Sequence, residues 1–236
     1  MGNLPDDRAR QLLRDGEPDV LGRMPWSSNA TFLVNLSDGD DELLAIYKPQ
    51  RGERPLWDFP RGSLCHREVA AFTVSEALGW RIVPDTVLRN GPHGIGMMQR
   101  FVEHDPEEHY FTLLEAHGDD FRRMAAFDIV INNTDRKGGH CLRALDDGRI
   151  FGIDHGVSFH MQWKLRTVIW DFGCEPLQPD IVNDLQRLLE CFRDLDLDYL
   201  DRFELDAMRA RTEHLLATGE YPEPDRDYHS YPWPTI

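Results

Sequence analysis

Strand-forming and helix-forming patterns are segregated along this chain, and that limits its possible folds more than any other feature. The first half reads as a small sheet. TFLVNL (31–36) is rich in β-branched and aromatic residues, SDGDDE carries a D-G turn signal, and LLAIYKP (43–49) ends on Pro49. Residues 27–49 are therefore expected to form a β-hairpin. TVLRN and GIGMMQRF (94–101) read as two more strands. One helix is expected at about 63–78, where Leu64, Val69, Phe72, Val74 and Leu78 make an apolar face and Gly79 follows as a C-cap. Residues 5–22 hold a short helical run before a Gly/Pro break.

The second half is mostly helical, with candidates at 109–117, 119–131, 180–195 and 203–217. NNTDRKGGH (132–140) is a polar loop with adjacent glycines, and CLRAL and RIFGID flank D-D-G as a short hairpin. The tail, YPEPDRDYHSYPWPTI, is expected to lie extended against the body. A β-rich half before a helical half implies an α+β fold of two lobes around a cleft. The boundaries expected are a small β-rich N-terminal lobe with one helix, 1–101, and a mostly helical C-terminal lobe, 102–236.

Charge narrows the partners. Across 236 residues, 26 basic and 42 acidic side chains leave a formal charge of −16. That argues against nucleic acid, whose phosphates need a basic face, and more weakly against an anionic membrane surface. No stretch approaches the ~18 apolar residues of a membrane span, and the acidic N-terminus has no apolar signal core. Gly2 fits a myristoylation start, but the motif then needs Ser or Thr where Asp6 stands. Cys65, Cys141, Cys174 and Cys191 are scattered with no C-x-x-C, as expected for reduced thiols in a cytoplasmic protein.

Only three lysines occur, Lys48, Lys137 and Lys164, so their placement carries information. Lys48 closes the strand AIYK, where an ammonium can bind phosphate. Glu68 follows 20 residues later in HREVAAF, on the expected helix. A strand lysine paired with a helix glutamate is how kinases aim the lysine at phosphates. The two residues alone also suit an ordinary surface pair. Asp135, in the loop after an apolar helix, can accept a proton from a substrate hydroxyl. Lys137 would neutralise charge on a transferred phosphate, and the loop also suits a plain polar turn. Asp154 ends the strand IFGI before a glycine turn, as a ligand of a hard cation does. The order, strand Lys, helix Glu, loop Asp, strand-end Asp, with 19 residues from Asp135 to Asp154, is what makes these pieces informative together.

On these segments the chain resembles the phosphatidylinositol 3-/4-kinase-like superfamily, nearest its type II phosphatidylinositol 4-kinase pattern. REVAAFTVSEALGWRIVPDT resembles the family's S-E-A-x-A-Y-L-V-D…L-G…I-V-P-x-T stretch, NNTDRKGGH its N-T-D-R-G-N-x-N loop, and GIDHGVSF its A-I-D-N-G-L-A-F. SSNATFLV (27–34) resembles its small-residue phosphate loop. The likeness runs from about Ser27 to Phe159 and extends to a group of actinobacterial kinase-like proteins. It implies a two-lobed protein-kinase-like fold that uses ATP with Mg²⁺ or Mn²⁺. It also implies roles: Ser27, Ser28 and Asn29 over the phosphates; Lys48 and Glu68 as the ion pair; Gln99, Arg100, Phe101 and Val102 as the hinge against adenine; Asp135 as base, with Lys137 beside it; Asp154 on the metal.

Two departures stand out. His140 occupies the place of the metal-binding Asn, and imidazole suits Mn²⁺ better than Mg²⁺. Lys137 gives the loop a protein-kinase character. Asp171-Phe172-Gly173 spells DFG, but Asp154 fits the metal role better by spacing and by its preceding strand. His155 and His160 could join His140 on a metal, though the spacing lacks helical context. Trp163 and Trp170 could line a substrate face or pack a core, and the acidic runs at 40–42 and 105–109 read as solvated charge.

The function expected is an ATP-dependent kinase whose acceptor is a hydroxyl on a small molecule, a lipid head group or a protein, with no nucleic acid and no integral membrane contact. The alternatives are a pseudokinase that senses nucleotide and a nucleotidyl transferase acting on protein.

Overall fold

In E-L-L-A-I-Y-K-P the strand period of two sends Leu43, Ala45 and Tyr47 to one face and Leu44, Ile46 and Lys48 to the other. The computed structural model, which describes residues 4–25, 29–225 and 229–236, uses both faces. Five antiparallel strands, β1 (Glu17–Arg23), β2 (Phe32–Ser37), β3 (Glu42–Pro49), β4 (Thr86–Gly91) and β5 (Gly94–Arg100), form a sheet in the order β1-β2-β3-β5-β4. One face is covered by α1 (Asp6–Asp15), whose Ala9, Leu12 and Leu13 pack on Val34, Leu36, Leu43, Ala45, Tyr47 and Met98.

The N-terminal run therefore divides. Its helix stops at Asp15, and the chain turns at Gly16 into β1, so this lobe carries a second helix and a fifth strand beyond the expected set. β1 is an edge strand held by backbone pairing to β2, and it is exposed along nearly its whole length. With neither face buried it has no apolar alternation to read.

The other face meets α2 (Leu64–Leu78). Cys65 and Val69 pack on Met97, with Ile46 and Leu88 alongside. The rest of α2 turns to the second lobe, where Ala70, Ala71, Val74 and Leu78 join the main core with Phe121, Phe127 and Val130. Glu53 accepts the backbone N–H groups of Leu64 (3.1 Å) and Cys65 (2.8 Å), so a carboxylate satisfies the donors of this helix start. Gly79 ends the helix at φ 73°, the left-handed cap expected of it.

The second lobe contains α3 (Tyr110–Leu113), α4 (Gly118–Ile131), the hairpin β6 (Cys141–Arg143) and β7 (Ile150–Gly152), α5 (Pro179–Glu190) and α6 (Arg202–Thr218). The helix expected over 109–117 is a single turn, because the chain breaks before Gly118 and restarts with Asp119 and Asp120 in the first turn of α4. Residues 229–236 have no regular structure and lie against the lobe: Ser230 O accepts from Thr167 N (3.1 Å), and Thr235 O from Gly138 N (2.7 Å). All four cysteines are free thiols. Among the described residues no helix is long and apolar enough to cross a membrane.

Candidate active site between the lobes

Lys48 leaves β3 on the face opposite α1, and its Nζ lies 2.7 Å from Glu68 Oε1 and 2.6 Å from Asp154 Oδ1. Burial opposes the charge on Lys48, but Asp154 and Glu68 together outweigh it and raise its pKa. Glu68 is buried, and its second oxygen accepts the backbone N–H of His155 at 2.9 Å. Asp154 is half exposed at φ 64°. Asp tolerates that left-handed turn, which directs the carboxylate off the strand end and into the cleft. Lys48 holds the Asp154 carboxyl well below the usual range.

The loop bearing Asp135 is built from the end of α4. Asn132 adopts the left-handed cap at φ 53°, and its amide donates to the carbonyls of His160 (2.8 Å) and Gln162 (2.7 Å). Asn133 donates to Asp128 (3.0 Å) and accepts from the backbone N–H of Asp135 (3.0 Å), which sets the turn bearing Asp135. Arg136 is fully buried and pairs with the fully buried Asp128 at 2.9 Å. It also donates to Ile153 O (2.9 Å) and His155 Nε2 (2.6 Å). One guanidinium thus ties the loop bearing Asp135 to the loop bearing Asp154. Lys137 Nζ stands 3.3 Å from Asp135. Burial raises the Asp135 pKa, with Lys137 pulling the other way.

His140 Nε2 lies 3.5 Å from Asp154 Oδ2. Burial lowers the pKa of this imidazole to about 4, so the ring is neutral. Lys137 N–H points at its Nδ1 (3.4 Å), which places the ring proton on Nε2, facing Asp154. Among the described residues no three His, Cys, Asp or Glu side chains gather as a closed metal cage. His155 and His160 do not join His140. His155 is occupied by Arg136, and His160 lies against Phe59, with its nitrogens facing Gln162 N (3.1 Å) and Lys164 Nζ (3.3 Å). Asp171 of the DFG triplet accepts from Tyr110 Oη at 2.5 Å and takes no part in this cluster. Trp163 is half exposed, and Trp170 donates to Ser230 O (3.1 Å). The run at 105–109 is not merely solvated: Glu108 forms a two-pronged pair with Arg143 at 2.8 and 2.6 Å. Nor is the run at 40–42, where Asp41 pairs with Arg8 at 2.6 Å.

A cavity of about 80 Å³ gathers Asn29, Lys48, Glu68, Asp135 and Asp154. A larger one, about 460 Å³, is lined by Arg100, Phe101 and Val102 but by none of those four charged side chains. Asn29 Oδ1 accepts from Arg54 N (2.8 Å); Ser27 and Ser28 lie outside the described residues. The side chains of Gln99 and Arg100 are committed elsewhere, Gln99 to Thr86 (2.8 Å) and Arg100 to Asp6 (3.2 Å). Phe101 N–H donates to Leu44 O (3.0 Å), and Val102 N–H has no protein partner among the described residues. Asp128, Arg136 and His155 were not singled out as a unit by the sequence; the one available signal was an aspartate inside the apolar run MAAFDIVI.

A model of the family described as phosphatidylinositol 3- and 4-kinase matches residues 82–188, which takes in residues 99–102, Asp135 and Asp154 but not Lys48 or Glu68. Protein Rv2133c of Mycobacterium tuberculosis is 38% identical to this chain in an alignment covering 99% of it and 97% of the relative. The crystal structure of the Helicobacter pylori proinflammatory kinase CtkA superposes with a TM-score of 0.53 at 12% identity, over 89% of this chain and 94% of that one. At that identity the likeness concerns the fold.

Proposed function

Because this chain belongs to the phosphatidylinositol 3- and 4-kinase-like superfamily, we propose that it is an ATP-dependent phosphotransferase with a hydroxyl acceptor. The observation that carries this reading is the meeting of Lys48, Glu68, Asp135 and Asp154, from four separate parts of the chain, in one cavity. Lys48 would move from Asp154 to the phosphate oxygens while Glu68 keeps it aimed. Asp135 would orient the acceptor hydroxyl and take its proton as the bond to the γ-phosphorus forms and the bond to the ADP oxygen breaks. Lys137 would offset charge on the phosphoryl oxygens in flight. Val102 N–H would face the adenine and Asn29 the phosphates; Ser27 and Ser28, given the same role by the family resemblance, lie outside the described residues.

Asp154 suits a Mg²⁺ or Mn²⁺ site of the open type, in which one or two protein ligands are completed by phosphate and water oxygens. Its Oδ2 is not taken by Lys48 and faces His140. His140, the other residue expected at the metal, has its Nε2 3.5 Å from that oxygen. A bound cation would neutralise phosphate charge. Catalysis on this reading is positioning and charge complementarity, with no covalent enzyme intermediate.

The test is ADP release from ATP with Mg²⁺ and with Mn²⁺, across polyol, lipid head group and protein acceptors, beside Asp135→Asn. We expect the variant to lose about 100- to 10,000-fold in kcat. Nucleotide binding without Asp135-dependent turnover in either metal would make the protein a nucleotide sensor. Adenylate rather than phosphate on a protein product would make it a nucleotidyl transferase.

A further inference from the structure

His155 is fully buried between the two halves of the site and has no part in the mechanism above. Its Nε2 lies 2.6 Å from Arg136 Nη2. A guanidinium only donates, so Nε2 is the acceptor and the proton of the neutral ring sits on Nδ1. That Nδ1–H is buried with no hydrogen-bond partner, and the carboxylate oxygen it faces, Glu68 Oε2, is 4.0 Å away. The same oxygen already accepts the His155 backbone N–H at 2.9 Å and has a lone pair to spare. An approach of about 1 Å would complete the bond. Phe127 packs edge-on against the ring at 5.6 Å, which stops it rotating away.

We propose that His155 is a positioning residue that couples the Lys48–Glu68 pair to the catalytic loop, its Nδ1–H closing onto Glu68 Oε2 when nucleotide draws Lys48 from Asp154. The inference rests on the kinase reading for what moves Lys48. In the ligand-free geometry Lys48 is shared between Glu68 and Asp154. Phosphate oxygens compete for the ammonium, and Glu68 follows its partner. The orphan donor of His155 then gains an acceptor, so the closed arrangement is the one in which every buried polar atom around Glu68 is paired. Arg136 holds the far side of the ring, and the register of the catalytic loop is thereby fixed to that of α2.

Two side chains separate the two halves of this coupling. An asparagine at 155 can place an amide N–H near the Nδ1 position, and a glutamine can place a carbonyl near Nε2. Each variant keeps only one arm of the coupling, so we expect both to lose about tenfold in kcat for ADP release, and His155→Gln, which lacks the donor that closes in the nucleotide-bound state, to raise KM for ATP as well. Parent-like kcat in His155→Gln would overturn the proposal. Independently of activity, ¹⁵N-histidine NMR of the full chain distinguishes the ring tautomers. We expect the proton of His155 on Nδ1 in the free protein, and its signal moving downfield with slower solvent exchange when a non-hydrolysable ATP analogue and Mg²⁺ are added. A proton on Nε2, or an Nδ1–H signal that stays put while the analogue binds, would overturn the coupling even if both variants proved unstable. A parent chain that binds no nucleotide fails the kinase reading and the closing step with it, whereas the wrong tautomer defeats this proposal alone.

Discussion

Asp135, Arg136 and Lys137 are consecutive, yet the fold gives them different surroundings. Arg136 is buried and paired with Asp128, while Asp135 and Lys137 stay at the cavity and face each other. Burial holds the Asp135 carboxyl above the ordinary range, with Lys137 restraining the shift. On the proposed reading Asp135 is the base and acts only when ionised, so kcat/KM should rise as pH climbs through this raised value. Lys137→Met removes the restraint and should move the acid limb to still higher pH, which a pH–rate profile will read. An acid limb that moves downward, or not at all, would show that another group controls it. Asp135 and Lys137 were legible as a loop of turn residues followed by a cation. The burial of Arg136 was not, because nothing local distinguishes it from its neighbours.

At the scale of elements, α2 binds the lobes together. Arg67 on it is almost fully buried, forms an ion pair with Glu204 at the start of α6, and donates to Ser158 O at 2.7 Å. Its guanidinium also lies over the Phe59 ring at 4.8 Å. Arg67→Met would strand the Glu204 carboxylate in a buried site, so we expect a loss of about 3–5 kcal/mol in urea unfolding. Adding Glu204→Leu should return part of it, because it removes the charge left without Arg67 but also the bond its other oxygen accepts from Asp201 N–H (3.0 Å). Both ends of α2 were readable, the last residue from Gly79 and the first from the apolar pattern. Its surroundings were not: beside the expected apolar face, Arg67, Glu68 and Ser75 are buried too, so burial runs round the helix rather than along one stripe. β1 was missed for the opposite reason, having no buried stripe at all.

At the scale of the whole molecule, residues 229–236 cross the second lobe and reach the loop bearing Asp135 and Gly138. Ser230 O takes Thr167 N–H and Trp170 Nε1–H, and Thr235 O takes the N–H of buried Gly138. Deleting 229–236 leaves these donors without acceptors. We expect a stability loss of about 1–3 kcal/mol and faster hydrogen exchange at Gly138. Exchange at Gly138 equal to that of the full chain would show that the loop holds its shape without the segment. The tail's extended course was expected from its prolines, but nothing in its composition pointed to the loop it meets.

The sequence by itself determined the strands with a buried face, the long helices and the residue types offered at a strand end, a helix face and two loops. Each of these follows from short-range periodicity and turn chemistry. The tertiary structure alone decided which charges are paired and which are left facing the cavity. Lys48 meets Asp154 from 106 residues away, and Arg67 meets Glu204 from 137. Such pairing depends on distance and on the water excluded around it, and chain order encodes neither.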